Sequence, residues 1–347
     1  MLWGKATRFL ATFALAGISV VGCVSEPETE EQQSTSAEPS TAVGESASPE
    51  PSAATIESAE PEISPFDSPL PTDFSKTQLI DRVLMEMQSW LDESGTRNSH
   101  QVLFEEGFPE HTKKPIAELI DLAMFALPFS EGSNTTFLIG QNFEFLLDEV
   151  KQLSTNIYPY FYVCGQPEWN DDAYCADSGW VAISYERTIG RNEGFRNPGK
   201  KAVVAHELMH SWNLSVHRPS LGYFYGEPQP QGTPAWLTEG MANLFGFSIG
   251  ELSGVESYLA GRNLEYKNSF QDKTVLLSDL VEWRQETYAL GMVASEYFVA
   301  SFGFGSLFDI FYELEKGSQF EEAFHTVTGY QLADFYDRFE LARSNFY

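Results

Sequence analysis

Lys201-Ala-Val-Val-Ala-His206-Glu207-Leu-Met-His210 is the stretch on which the reading turns. Its apolar residues recur at helical spacing, and on an α-helix positions i and i+4 share a face. His206 and His210 can therefore reach one metal ion, and Glu207, one residue round the helix, is placed to take a proton from a water there. Hydrolytic zinc sites use three protein ligands and keep one position open, so a third ligand is needed. His217 is one candidate, but the metzincin pattern would put Gly at 213 and His at 216, where Asn213 and Val216 stand. The other is Glu239, in Pro234-Ala-Trp-Leu-Thr-Glu239-Gly240-Met-Ala, with Pro234 opening a second helix and Glu239 in its second turn.

Away from this centre the chain divides by composition. Phe9–Val21 is an apolar run behind Lys5 and Arg8, the length of a signal h-region and too short to span a bilayer comfortably. It ends Val20-Val21-Gly22-Cys23, which resembles a bacterial lipobox and makes Cys23 the candidate for lipidation; the alternative is an ordinary signal peptide with a chance cysteine. Residues 24–75 hold 12 acidic residues and no basic one, and are rich in Ser, Pro, Glu, Ala and Thr. Such a segment cannot bury enough apolar surface to offset its chain entropy, so residues 24–73 are expected to be a disordered tether. Of the three cysteines, Cys164 and Cys175 remain as a disulfide pair suited to an oxidising compartment; a metal site is the weaker reading, with no His or third Cys nearby.

The full chain has 347 residues, 50 acidic against 21 basic, and a formal net charge of −29. That balance argues against nucleic acid as a partner, because its binding depends on Lys and Arg neutralising phosphates. With 42% hydrophobic and 14% aromatic residues the remainder can fill a sizeable core. The spacing predicts a helix over 76–93, a strand over 135–140, a helix over 143–153, and strands over 157–164 and 180–185. From Lys200 onward the pattern is nearly all helical, with stops at Gly303-Phe304-Gly305, Gly317 and Gly329. The expected class is α+β, a small mixed sheet followed by a mainly helical C-terminal half.

The wider context of the first stretch carries a family resemblance. His210-Ser-Trp212-Asn213 is followed by Arg218-Pro219, the aromatic turn Tyr223-Phe224-Tyr225, then Trp236 and Glu239-Gly240, with 28 residues between His210 and Glu239. This order resembles the glycyl aminopeptidase family of gluzincin metallopeptidases. The resemblance implies a thermolysin-like metallopeptidase domain over 74–347, with zinc held by His206, His210 and Glu239 and with Glu207 as general base. It also implies that Tyr288, in Tyr288-Ala-Leu-Gly291, hydrogen-bonds the tetrahedral oxyanion. Asn243, four residues after Glu239, could hold a ligand histidine, although thermolysin-like enzymes place Asp there. The Gly-x-x-Glu-Asn/His strand motif that binds a substrate's free amine is missing; Glu186 is the only nearby substitute. The resulting expectation is a zinc peptidase acting on peptides or proteins, lipid-anchored at Cys23 to the extracytoplasmic side of a bacterial membrane. Two alternatives stand beside it: a non-catalytic metal-binding lipoprotein serving as a binding or assembly module, and a gluzincin directed at glycoproteins, with Tyr223-Phe224-Tyr225 contacting sugar.

Overall fold

The computed structural model describes residues 70–93, 98–130, 132–153, 173–185, 201–216, 233–270 and 272–347. Every described residue belongs to one compact unit, Pro61–Tyr347. Ten α-helices are described: α1 Lys76–Glu93, α2 Glu110–Ala126, α3 Phe143–Leu153, α4 Val203–Val216, α5 Ala235–Leu252, α6 Tyr258–Ser269, α7 Gln285–Phe302, α8 Gly305–Glu315, α9 Phe320–Thr328 and α10 Leu332–Ala342. Four strands accompany them: β1 Ser99–Phe104, β2 Asn134–Gly140, β3 Ala173–Asp177 and β4 Trp180–Ser184. The architecture is mixed α+β, mostly helical with one small sheet. Among the described residues no helix is long and apolar enough to cross a membrane.

The sheet has the order β1-β2-β4-β3, with β1, β2 and β4 parallel and β3 antiparallel to β4. Alternation along the strands sends Phe137, Ile139, Val181 and Ile183 into the main core. The opposite face puts Leu138, Trp180 and Ala182 against Leu146 and Val150 of α3. Both faces are thus covered, which is why β2 and β4 read as near-continuous apolar runs. The sheet meets the helical half at α4, where Ser211 Oγ donates to the Asp177 carbonyl at 2.7 Å.

α5 forms the axis of the helical half. Every residue from Ala235 to Gly250 is buried, and a helix apolar on all sides is stable only inside a core. Its first N–H groups lack intrahelical partners. The segment ahead of α7 supplies two: Ala235 N–H donates to the Val281 carbonyl at 2.9 Å and Trp236 N–H to the Leu280 carbonyl at 3.1 Å. α5 and α7 then cross backbone to backbone. A Cβ on Gly240 would lie 2.1 Å from the Gly291 carbonyl oxygen, and one on Gly291 would lie 2.4 Å from the Trp236 carbonyl oxygen. α5 meets α4 in the same manner, since a Cβ on Gly246 would lie 2.8 Å from the Ala202 carbonyl oxygen and 3.2 Å from the His206 nitrogen.

The helical half is tied at its far side by a buried ion pair. Arg262 and Glu296 are 1% and 0% exposed, and join through Nε–Oε1 at 2.7 Å and Nη2–Oε2 at 2.8 Å. Arg262 Nη2 also donates to the Phe346 carbonyl at 3.0 Å, and the Tyr258 hydroxyl donates to Glu296 at 2.7 Å. Bidentate geometry with further hydrogen bonds is what such a buried pair needs to offset its desolvation. The N-terminal approach is held as well: Leu70 is buried, and the Pro71 carbonyl accepts from Tyr297 at 2.7 Å. Packing therefore begins a few residues ahead of the boundary expected at 73/74.

The expected helices over 76–93 and 143–153 are observed, as is a strand over Asn134–Gly140. Glycine ends three helices as expected: Gly303, Gly317 and Gly329 follow α7, α8 and α9 with φ of 86°, 97° and 75°. β1, β3 and α2 had no counterpart in the sequence reading. The strand expected over 157–164 lies outside the described residues. Gly240→Ala is expected to force α5 and α7 apart; overpacking of this kind costs about 1–3 kcal/mol and more where backbone is the obstacle. Urea unfolding of the variant beside the wild-type chain measures the loss.

Candidate metal centre

α4 is apolar on most of its surface, yet it carries His206, Glu207 and His210 toward α5. Its start is pinned from outside, with the Glu256 carboxylate accepting from Ala202 N–H at 2.9 Å and Lys201 Nζ donating to the Val255 carbonyl at 3.2 Å. A carboxylate at a helix N-terminus is favoured by the helix dipole. With α4 fixed and α5 pressed against it at Gly246, Glu239 projects between the two imidazoles.

The three side chains converge. His206 Nε2 and His210 Nε2 are 3.1 Å apart, and Glu239 Oε2 lies 3.6 Å from the first and 3.4 Å from the second. One ligand atom from each residue falls within 4.8 Å of the others, a grouping able to hold a metal ion. Glu239 is 8% exposed, and its Oε2 has no hydrogen-bond partner. A buried carboxylate oxygen without a donor costs free energy unless a cation meets it. Two imidazole nitrogens and that oxygen are the donor set that zinc takes, so the residues present fit the group.

The histidine orientation is enforced from behind. Asn243 Oδ1 lies 2.9 Å from His206 Nδ1, and Asn243 Nδ2 donates to the Tyr288 backbone carbonyl at 3.1 Å. The second bond assigns the amide, leaving Oδ1 as acceptor for an Nδ1–H. His206 is thereby held as the tautomer whose Nε2 lone pair faces Glu239. The Tyr288 ring stands 6.4 Å from that of His206, centroid to centroid, and the exposed Trp283 meets it edge-on at 6.0 Å.

The two glutamates differ in protonation although they share the site. Burial pushes the Glu207 carboxyl up to about 7; the charge of His206 pulls against this and that of Glu239 adds to it. Burial acts on Glu239 too, but His210 and His206, in their protonated forms, outweigh it and hold it well below the ordinary carboxylate range. One carboxylate is thus a permanent anion suited to a cation, and the other is poised to exchange a proton near neutrality.

Among the candidate residues, His206, Glu207, His210, Glu239, Asn243 and Tyr288 are brought to one place by α4, α5 and α7. His100 instead pairs with Asp121 at 3.0 Å and His325 sits near the end of α9 with Nδ1 3.3 Å from the Tyr330 carbonyl. Cys23, Cys164, Glu186, His217, Arg218 and Tyr223-Phe224-Tyr225 lie outside the described residues, as does the side chain of Cys175, so the disulfide does too. The sequence reading took this region as helical but did not bring Leu264, Glu265 and Ser269 of α6 to the site, where they line a cleft of about 360 Å³ shared with His206, Glu207 and Tyr288. No motif surrounds these residues, and nothing in the order of the sequence brings them to the site.

Residues 200–270 match the family model of the M61 glycyl aminopeptidases, so this stretch is M61-like gluzincin sequence and contains the two helices that carry the candidate ligands. No curated protein and no solved structure matches the chain. Removing the orienting amide tests the centre directly: Asn243→Ala should weaken the binding of an added divalent metal about 10–100-fold, as loss of such outer partners typically does. Competition with a chromophoric chelator measures it.

Proposed function

We propose that this chain is a zinc-dependent peptidase with a thermolysin-like catalytic domain over 74–347, held at the extracytoplasmic face of a bacterial membrane by a lipid on Cys23. The observation that carries this reading is the convergence of His206 Nε2, His210 Nε2 and Glu239 Oε2, with the buried Glu239 oxygen lacking any hydrogen-bond donor. The M61-like character of residues 200–270 supports a peptide bond as the target.

His206, His210 and Glu239 would hold a zinc ion, which would supply Lewis acidity for activating water and polarising a carbonyl. Asn243 keeps His206 in the ligating tautomer. Glu207 takes the proton of the attacking water on its carboxylate and returns it to the nitrogen of the leaving amine. The Tyr288 phenol donates to the oxyanion that develops on the substrate carbonyl. α5 and α7 hold these groups on packed helices rather than on loops, which limits the reorganisation needed in the reaction.

Cleavage of mixed free and N-acetylated peptides by the purified full chain, mapped by mass spectrometry beside Glu207→Gln, tests the activity. The variant should keep its zinc and lose about a hundredfold to ten-thousandfold in turnover, the usual share of a general base. An equally active Gln variant overturns the role of Glu207. Stepwise loss of N-terminal residues from free peptides alone marks an aminopeptidase, and internal cuts in both sets mark an endopeptidase. For the anchor, Cys23→Ser should move the chain from the membrane to the soluble fraction of expressing bacteria; retention at the membrane overturns lipidation at Cys23.

A further inference from the structure

The cleft beside the metal centre is walled by four helices. α4 contributes Val203, His206 and Glu207, α5 contributes Phe247, α6 contributes Leu264, Glu265 and Ser269, and α7 contributes Gln285 and Tyr288. It adjoins the groups that would act on the substrate, and its volume of about 360 Å³ suits one long side chain. Among the described residues that line it, two are carboxylates and none is Lys or Arg.

Glu265 is the carboxylate that hydrolysis does not use. The hydroxyl of Ser269, one helical turn on, donates to Glu265 Oε1. Ser269 is 2% exposed, and its hydroxyl accepts from Gln285 Nε2 at 3.1 Å. This chain fixes one oxygen of Glu265 and uses the donor side of the Gln285 amide. Among the described residues no cation pairs with Glu265, and its Oε2 receives no hydrogen bond. An ionised carboxylate offers about four acceptor positions on its two oxygens. The oxygens of Glu265 and Gln285 therefore offer acceptors beside the amides of Asn243 and Asn268, while Val203, Phe247 and Leu264 supply apolar surface for a methylene stem. Apolar walls with a carboxylate are the environment that a Lys or Arg side chain requires.

We infer that this cleft receives a Lys or Arg side chain of the substrate, and that Glu265, braced by Ser269 and Gln285, sets the preference. The inference rests on the peptidase reading above and names its substrate class.

The zinc-loaded full chain is given acetyl-Ala-Gly-X-Ala-Gly-amide peptides and their free-amine counterparts, with X as Lys, Arg, Met or Glu. For Lys and Arg, kcat/KM should exceed that for Met by about tenfold, the scale of a partly buried charge pair, with Glu lowest. In Glu265→Gln, which matches the shape of Glu265, the Lys-to-Met ratio should fall to near one. Glu265→Lys should favour X as Glu. Circular dichroism checks that each variant is folded. Turnover without a cation preference overturns the inference, as does a preference that survives Glu265→Gln. A dependence on the free amine alone, abolished by Glu265→Gln, assigns the cleft to the α-amine and overturns the side-chain assignment. If no peptide is cleaved, calorimetry on the Glu207→Gln chain decides. Tighter binding of the acetylated Lys peptide than the Met peptide, lost when Glu265→Gln is added, upholds the cleft while the peptidase reading fails; equal binding overturns the cleft.

Discussion

The contact on which the centre depends is the crossing of α5 and α7 at Gly240 and Gly291, where two backbones meet with no side chain between them. Glu239 precedes one glycine and Tyr288 stands about one turn before the other. The distance between the helices therefore bears on how far the candidate ligand Glu239 stands from Tyr288. The same closeness lets Asn243 reach the Tyr288 carbonyl with one end of its amide and His206 with the other. A methyl group at either glycine has no soft atom to displace, only backbone. This accounts for glycine in both motifs on packing grounds, independent of any contact with substrate.

Gly246 performs the corresponding task between α5 and α4, nearly two turns further along. Three glycines on two long buried helices thus do what side-chain complementarity does elsewhere in the core. They replace variable, adjustable contacts with backbone contacts that have one solution. The remaining supports act at the helix ends: Glu256 at the start of α4, and the Leu280 and Val281 carbonyls at the start of α5. The ligand residues are therefore positioned by elements whose ends and crossings are both determined.

Much of this was legible in the sequence, for identifiable reasons. α1 follows from apolar residues at helical spacing, and α5 from Pro234 ahead of an apolar run. His206, Glu207, His210 and Glu239 follow from spacing and from the resemblance. The elements that escaped had conflicting local signals. α2 contains Pro115, which argues against a helix interior. β1, Ser-His-Gln-Val-Leu-Phe, begins with polar residues at the edge of the sheet and lacks the apolar run of β2. Glu265 escaped for a different reason. Its place beside the cleft depends on Phe247 packing over Gly261 and on Ser269 meeting Gln285, contacts between helices that no local pattern announces.

The amide at Asn243 has an effect on net charge. His206 and His210 as ligands are neutral, Glu239 contributes −1, and Asn243 contributes nothing where a carboxylate would contribute a second −1. A divalent cation in these surroundings keeps more of its positive charge than one backed by an Asp–His pair. It is held less tightly and remains a stronger electrophile, so this centre sets reactivity against retention of its ion. If the proposed location and zinc-dependent activity hold, occupancy would follow the local supply of the ion, and turnover would follow occupancy.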